Sequence, residues 1–455
     1  MSYISHRFIK PFYCNIFGIF NSFIAIFYNQ AIGLSNTLIG AAIMLSLIGD
    51  AISDPLVGMI SDNWRSKLGR RHPFLFAAPI PIAISIYFIF NPPEMITSSD
   101  NMHTQLFIWL VVWTVLSRLF VTLYSLPHNA LGGELTSNPH ERSKLFSVNA
   151  LCGYAATVIT MSLAWGYFLA GETVNASGDI IPRHLDQDSY TSLVYVTCAV
   201  VISSLMICSF MTMSYIPKLS KAPLTRKKLT LNRFFSDIFS TLKNHNYLFL
   251  VIGGFVFAIG YGLGETFKVF VNTYFWEFTP KDLRWFSVNA GPTLLLGAFI
   301  APRLMRRFDR KPVMMTTIIG FVLFSQLGVG LRLLGVLPSN ESELLLPIIL
   351  IFSGIEMFCI GVISVVIMAM LADTIDENEL KTGLRQEGLF YSARAFFSKA
   401  ANSVSHLVGG ILLDLYVKLP VKAIPGELDE GVVWRLGLLA GPMAAVPLVV
   451  AIYFY

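Results

Sequence analysis

The chain has 455 residues, 54% of them hydrophobic and only 13% charged, with a formal net charge of +5. Soluble domains carry roughly a quarter charged residues, so this composition excludes a soluble enzyme or binding module and describes an integral membrane protein. The positive balance sits in loops on one side, which excludes a nucleic-acid surface, and no segment is left over for a sizeable soluble domain.

Crossing the hydrocarbon takes about 20 residues in a helix. Apolar blocks of that length predict helices over 10–33, 37–62, 73–91, 104–132, 143–170, 189–215, 246–273, 283–305, 312–336, 344–371, 386–416 and 431–455. The N-terminal "MSYISHRFIK" carries Arg7 and Lys10 and runs into apolar sequence with no small-residue cleavage site, so it is expected to open a first span rather than a cleaved signal peptide. Cys14, Cys152, Cys198, Cys208 and Cys359 lie inside apolar segments without ligand spacing, which makes them packing residues.

Loops after even-numbered helices hold most of the Lys and Arg, in "WRSKLGRR", "HERSK", "RRFDRKP", "ENELKTGLR" and the long segment from Pro217 to Asn246. The positive-inside bias then places both termini and these loops in the cytoplasm; the membrane expected is the plasma (inner) membrane. The long segment defines three expected parts: a six-helix bundle over 1–216, a basic linker over 217–245 and a second six-helix bundle over 246–455. Leu231, Phe234, Phe235, Ile238 and Leu242 fall at helical spacing within the linker, as in a helix lying on the inner leaflet; a plain solvated connector is the simpler alternative.

The two halves share a pattern. "GMISDNWRSKLGRRHP" runs from Gly58 to Pro73 and "GAFIAPRLMRRFDRKP" from Gly297 to Pro312, both between the second and third helix of a half and related by an offset of 239 residues. Parallel halves related by an axis along the membrane normal produce such a repeat. Gly58, Asp62, Arg65, Gly69, Arg70 and Arg71, with Asp309, Arg310 and Lys311 in the second copy and Arg142 in "HER", are expected to cap helices, anchor at lipid headgroups and form the ion pairs of an inner gate.

The second predicted helix holds the anomaly, "GDAISDPLVG". At about 1.5 Å of rise per residue, Asp50 lies roughly 20 Å and Asp54 roughly 26 Å along it, inside the hydrocarbon, and their i, i+4 spacing puts both carboxylates on one face. Two such charges in a low dielectric need a cation between them, a basic partner or a proton. Ser53 and Thr122 are further oxygen donors, and Pro55 cannot donate to the Ala51 carbonyl. At the same offset of 239 stand Asn289 and Thr293, so the second half repeats the loop without the acids.

These residues carry a family resemblance. The glycine, acid and basic loop resemble the signature of the major facilitator superfamily. "YNQAIGLSNTLIG", "DAISDPLVG", "LPHNALGGELTSNPHER" and "LADTIDENELKTGLRQE" resemble the glycoside-pentoside-hexuronide:cation symporters, typified by melibiose permease. The resemblance implies an all-α fold of about twelve spans, two six-helix bundles around a central cavity. It implies that Asp50 and Asp54 bind the coupling cation, that Ser53 and Thr122 neighbour it, and that Lys381 stands near the same site.

The substrate positions depart from melibiose permease. Its helix-four acid aligns with Ser125, its helix-five arginine with Ala150 beside Asn149, and its helix-one acid with Cys14 beside Asn15. Arg118, on one face of the fourth helix with Thr122 and Ser125, has two readings: an ion pair with Asp50 or Asp54, or a clamp for an anionic substrate. Trp109, Trp113 and Tyr124 are read as packing, with a stacking surface for a sugar as the alternative; Glu265 and Lys268 as neutralising each other; His128 and His406 as core residues, with a proton relay as the alternative; and Glu356 as a candidate substrate contact. No HExxH, P-loop, GxSxG or Cys/His cluster is present, so no enzyme is expected.

The function read from this is symport of a sugar or glycoside, pentoside, oligosaccharide or hexuronide with Na⁺, Li⁺ or H⁺, with no other cofactor. The carrier would work as a monomer in contact with membrane lipid. A lysophospholipid carrier is the alternative within the class; a nontransporting sensor or a membrane-embedded enzyme is the alternative outside it.

Overall fold

Helix ends leave main-chain groups without partners, and at several helix starts in this chain side chains supply them. The computed structural model describes residues 23–135, 139–174, 178–218, 236, 238–383 and 386–455. They form α1 (Phe23–Ile32), α2 (Asn36–Asn63), α3 (His72–Thr97), α4 (Met102–Glu134), α5 (Pro139–Leu163), α6 (Tyr190–Thr212), α7 (His245–Phe270), α8 (Pro280–Phe308), α9 (Arg310–Leu333), α10 (Leu345–Thr382), α11 (Glu387–Leu412) and α12 (Glu430–Ile452).

Among the described residues ten of these helices are long and apolar enough to cross a membrane. The protein is therefore an integral, multi-pass membrane protein. α8 is long enough, but its charged ends and two internal prolines lower its hydropathy. The part of the first expected helix that lies before Phe23, and most of the expected linker, lie outside the described residues.

α8 opens on a capping box between Thr279 and Asp282 with Pro280 at its first turn. α9 opens on Asp309, which stands at a φ of 65° and accepts the Arg310 N–H at 2.7 Å. Several helices widen into π turns, at the end in Phe27–Ile32 of α1, Ala164–Phe168 after α5, Val271–Phe275 after α7 and Leu413–Val417 after α11, and in the middle of α12 at Leu439–Met443. Between α5 and α6, where the sequence predicts no regular element, an antiparallel hairpin of β1 (Glu172–Val174) and β2 (Ile180–Pro182) pairs Glu172 with Pro182.

Packing divides the chain into two units, residues 1–34 with 45–231, and residues 35–44 with 232–455. The start of α2 thus belongs with the second unit, where the Asp414 carboxylate accepts the N–H groups of Asn36 at 3.1 Å and Thr37 at 2.7 Å. Within the first unit α3 packs on α4 and α6. An aromatic cluster of Phe23, Phe27, Phe90, Trp165 and Tyr190 fills the space near α1. His184 joins it edge-on to Trp165, and burial lowers its imidazole pKa to about 3, so the cluster stays uncharged.

In the second unit α10 packs on α8 and α9, and α7 on α11 and α12. The α8–α10 contact is backbone to backbone. A Cβ on Gly297 would stand 2.1 Å from the Phe358 carbonyl, and one on Gly361 would stand 2.1 Å from the Leu294 carbonyl. Small residues let membrane helices approach this closely. Gly58, at the position of Gly297 in the first copy of the repeat, faces open space: a Cβ there would meet no atom within 4 Å.

The expected outcome is that Gly297→Ala and Gly361→Ala each destabilise the protein by about 1–3 kcal/mol or more through overpacking, whereas Gly58→Ala leaves stability unchanged. Thermal unfolding of the detergent-solubilised protein measures the difference.

Candidate cation site in the first unit

Asp50 and Asp54 come one helical turn apart on α2, as the i, i+4 spacing requires, and α4 presents Arg118 and Thr122 to them with the same spacing. The Thr122 hydroxyl lies 2.9 Å from Asp50 Oδ1 and 3.0 Å from Asp54 Oδ1. A hydroxyl carries one proton. It gives a full hydrogen bond to one carboxylate or shares it between the two, and the hydroxyl lone pairs together with the two carboxylates form a cluster of oxygens in which a proton or cation would offset the repulsion of the acids. Asp50, Thr122 and Arg118 are 8%, 3% and 9% exposed, which keeps the dielectric low and the demand for compensation high.

Arg118 takes the first of its two readings. Its Nη1 lies 3.8 Å from Asp50 Oδ2 and its Nε donates to Ser46 Oγ at 2.9 Å, so the guanidinium is engaged with α2. Ser46 was not singled out from the sequence, although it lies one turn before Asp50 on the same face. Two carboxylates and one guanidinium leave a net charge of −1. The oxygen-only donors and single negative charge fit one hard monovalent cation or a proton. Among the described residues no three or more His, Cys, Asp and Glu side chains gather as a metal cluster.

The other expected residues distribute as follows. The Ser53 hydroxyl donates to the Asp50 main-chain carbonyl at 3.2 Å. Lys381 belongs to the second unit, where it pairs with Glu377 one turn away on α10. Ser125 is half-buried on α4, and Asn149 on α5 holds a buried Oδ1 with no hydrogen-bond partner among the described residues. Asn15 and the side chain of Arg142 lie outside the described residues. Trp109 donates to the Phe88 carbonyl at 2.8 Å and Trp113 stacks on the Phe88 ring, so both pack α4 on α3. His128 stacks on Tyr124, and His406 meets the Thr266 hydroxyl at 3.1 Å.

The basic loops form ion pairs inside each unit. Arg70 meets Glu134 at 2.6 Å, and Arg71 meets Asp62 at 2.6 Å, Glu134 at 3.2 Å and the Ser61 hydroxyl at 3.0 Å. Gly69 makes the turn before them at a φ of 76°. Arg65 and Lys311 are exposed. In the second unit Arg310 pairs with Asp373. Glu134 and Asp373 were not picked out from the sequence, yet they are related by the same offset of 239 that relates Arg71 to Arg310. The repeated element is therefore an ion pair between two helices and not the loop alone.

The offset also explains why the acid pair and its hydroxyl are not duplicated. Thr122 corresponds to Gly361, and Asp50 and Asp54 to Asn289 and Thr293. Where the first unit sets a hydroxyl against two carboxylates, the second unit presses a glycine against the Leu294 carbonyl. Asn289 there donates to the Leu350 carbonyl at 2.8 Å and Thr293 to the Asn289 carbonyl at 2.7 Å. The space is filled and the polar groups are satisfied within the helix pair.

Residues 3–455 match the family described as MFS/sugar transport protein. An isoprimeverose transporter of Lactiplantibacillus pentosus is 24% identical over 417 residues, which cover 89% of this chain and 78% of that protein. A glucuronide carrier protein homolog of Escherichia coli (strain K12) is 24% identical over 399 residues, covering 86% and 79%. The solved inward open structure of the xylose transporter of E. coli shares the fold, with a TM-score of 0.60 at 16% identity over 97% of this chain and 94% of that one.

Proposed function

The chain belongs to the MFS/sugar transport protein family, a membrane carrier and not an enzyme, and from this premise we propose that it moves a sugar or glycoside inward by symport with one monovalent cation held at Asp50, Asp54 and Thr122. The single observation that carries the cation assignment is the Thr122 hydroxyl set within 3.0 Å of both carboxylates, which gathers two acids and a neutral oxygen donor at one point. The names of the two relatives, an isoprimeverose transporter and a glucuronide carrier homolog, support a sugar as cargo.

Na⁺, Li⁺ or H⁺ would supply the missing positive charge. Asp50 and Asp54 would hold it, Thr122 would turn its hydroxyl lone pair toward it, and Arg118 would set the net charge so that one cation suffices. With the site neutral, alternating access can carry the loaded protein across without an uncompensated charge in the hydrocarbon. The bias of Lys and Arg toward one set of loops supports cytoplasmic termini in a plasma (inner) membrane, with the carrier working as a monomer.

Uptake of radiolabelled isoprimeverose and simple glycosides into proteoliposomes tests this. An inward gradient of Na⁺, Li⁺ or H⁺ is expected to stimulate initial uptake at least about tenfold, the effect of roughly 1.4 kcal/mol. Uptake indifferent to all three gradients would contradict it.

A further inference from the structure

The second unit holds its own charged cluster, on other helices. Glu265 and Lys268 lie on α7 with Lys268 Nζ 3.4 Å from Glu265 Oε1. Their side chains are 42% and 34% exposed; charged groups this open in a spanning helix face water rather than lipid. With Glu356 of α10, Gln326 of α9, Asn272 and the Trp276 ring, they wall a cavity of about 120 Å³ inside this unit. Gln326 Oε1 is buried without a hydrogen-bond partner among the described residues. At the offset of 239, Glu265, Lys268 and Glu356 correspond to Ile26, Asn29 and Ser117, so this cluster is as particular to the second unit as the acid pair on α2 is to the first.

The chemistry of the wall selects its occupant. Carboxylates and an amide oxygen accept hydrogen bonds from hydroxyls, an ammonium and an amide N–H donate to ring and hydroxyl oxygens, and an indole face packs the apolar side of a sugar ring. Lys268 is engaged by Glu265 and Glu356 adds a second acid, so the lining offers a carboxylate or sulfonate no unengaged cation and sets acids against it. The enclosed volume equals that of only about four water molecules, so it takes the hydroxyl edge of one sugar ring, with the rest of the glycoside outside.

We propose that this cavity is the subsite for the edge of an uncharged sugar ring, with Glu356 and Glu265 accepting from its hydroxyls, and that these acids turn uronides away. The proposal rests on the sugar-symport reading and deepens it: of the cargoes open from the sequence, neutral glycosides are transported and hexuronides are not.

The test is uptake into proteoliposomes of isoprimeverose, methyl β-D-glucoside and methyl β-D-glucuronide by the wild type, Glu356→Gln and Gln326→Ala. The wild type is expected to take up a neutral sugar at least tenfold more efficiently than the glucuronide. Glu356→Gln is expected to raise the neutral-sugar KM at least tenfold and to narrow the discrimination against the glucuronide, with the cation concentration for half-maximal stimulation unchanged. Gln326→Ala, which alters no charge, is expected to raise KM without changing discrimination, and it carries the test if Glu356→Gln does not insert. Preference of the wild type for the glucuronide, or unchanged KM and selectivity in the variants, overturns the subsite while leaving symport intact. Cation-independent uptake, or none, of all three sugars overturns the symport reading and the subsite with it.

Discussion

Asp54→Asn, and separately Asp50→Asn, abolish cation-driven sugar accumulation while the protein still inserts and folds; that is the expected result. Each substitution preserves shape and can still accept from Thr122, but it changes the charge of the site from −1 to zero, so the Arg118 guanidinium alone balances the remaining carboxylate. A carboxylate–cation contact contributes about 4 kcal/mol at an effective dielectric near 20, and each 1.4 kcal/mol is about tenfold in affinity. A loss of roughly 100-fold or more in gradient-driven initial rate is therefore expected in both variants. Initial rates in proteoliposomes under the effective gradient measure it, with the inserted fraction determined by size-exclusion chromatography. A merely structural acid pair would lose folded protein rather than coupling.

Arg118→Gln has the second large effect, and of a different kind. It leaves Asp50 and Asp54 with a combined charge of −2 and removes the donor to Ser46. Breaking a buried pair by deleting one partner costs about 3–5 kcal/mol because the other charge stays buried. The expected result is a clear fall in the thermal midpoint together with loss of uptake. The double variant Arg118→Gln with Asp50→Asn restores the charge of −1 and is expected to recover stability. Whether coupling returns separates the two roles of the guanidinium: recovered stability without transport means that Asp50 is itself a cation ligand. A double variant no more stable than Arg118→Gln alone would show that the charge balance inferred here is wrong.

The parts of the molecule that follow from length and period were legible in the sequence. Helices from α2 onward fall near their predicted spans because twenty-residue apolar blocks in hydrocarbon have no other way to satisfy their backbone. The exception is α10, which runs eleven residues past its expected end at 371 to Thr382, through most of the expected loop, where i, i+4 pairing of Glu377 with Lys381 supports a polar helical extension. The acid pair was legible because charge there is conspicuous. What was not legible depends on the identity of a partner far along the chain. Gly58 and Gly297 occupy equivalent places in the repeat, yet a Cβ on the first would face open space and one on the second would stand 2.1 Å from a carbonyl. The difference lies on the opposite helix, where Thr122 and Gly361 correspond. Glu134 and Asp373 escaped for the same reason, since an acid near a helix end is unremarkable until its arginine is known. Glu356, without a partner nearby in sequence, proved to share a wall with Glu265 and Lys268. The three-residue strands β1 and β2 are too short to show a period, and a π turn has no composition of its own.

The most direct test of the central claim is to follow sugar and cation flux in the same vesicles, with radiolabelled sodium, lithium and a pH-sensitive dye as alternative reporters. A site with a net charge of −1 predicts one monovalent cation carried with each sugar molecule in the wild type, and no sugar-dependent cation flux in Asp54→Asn. Sugar-dependent cation flux that persists undiminished in Asp54→Asn would place the coupling site elsewhere and contradict the account.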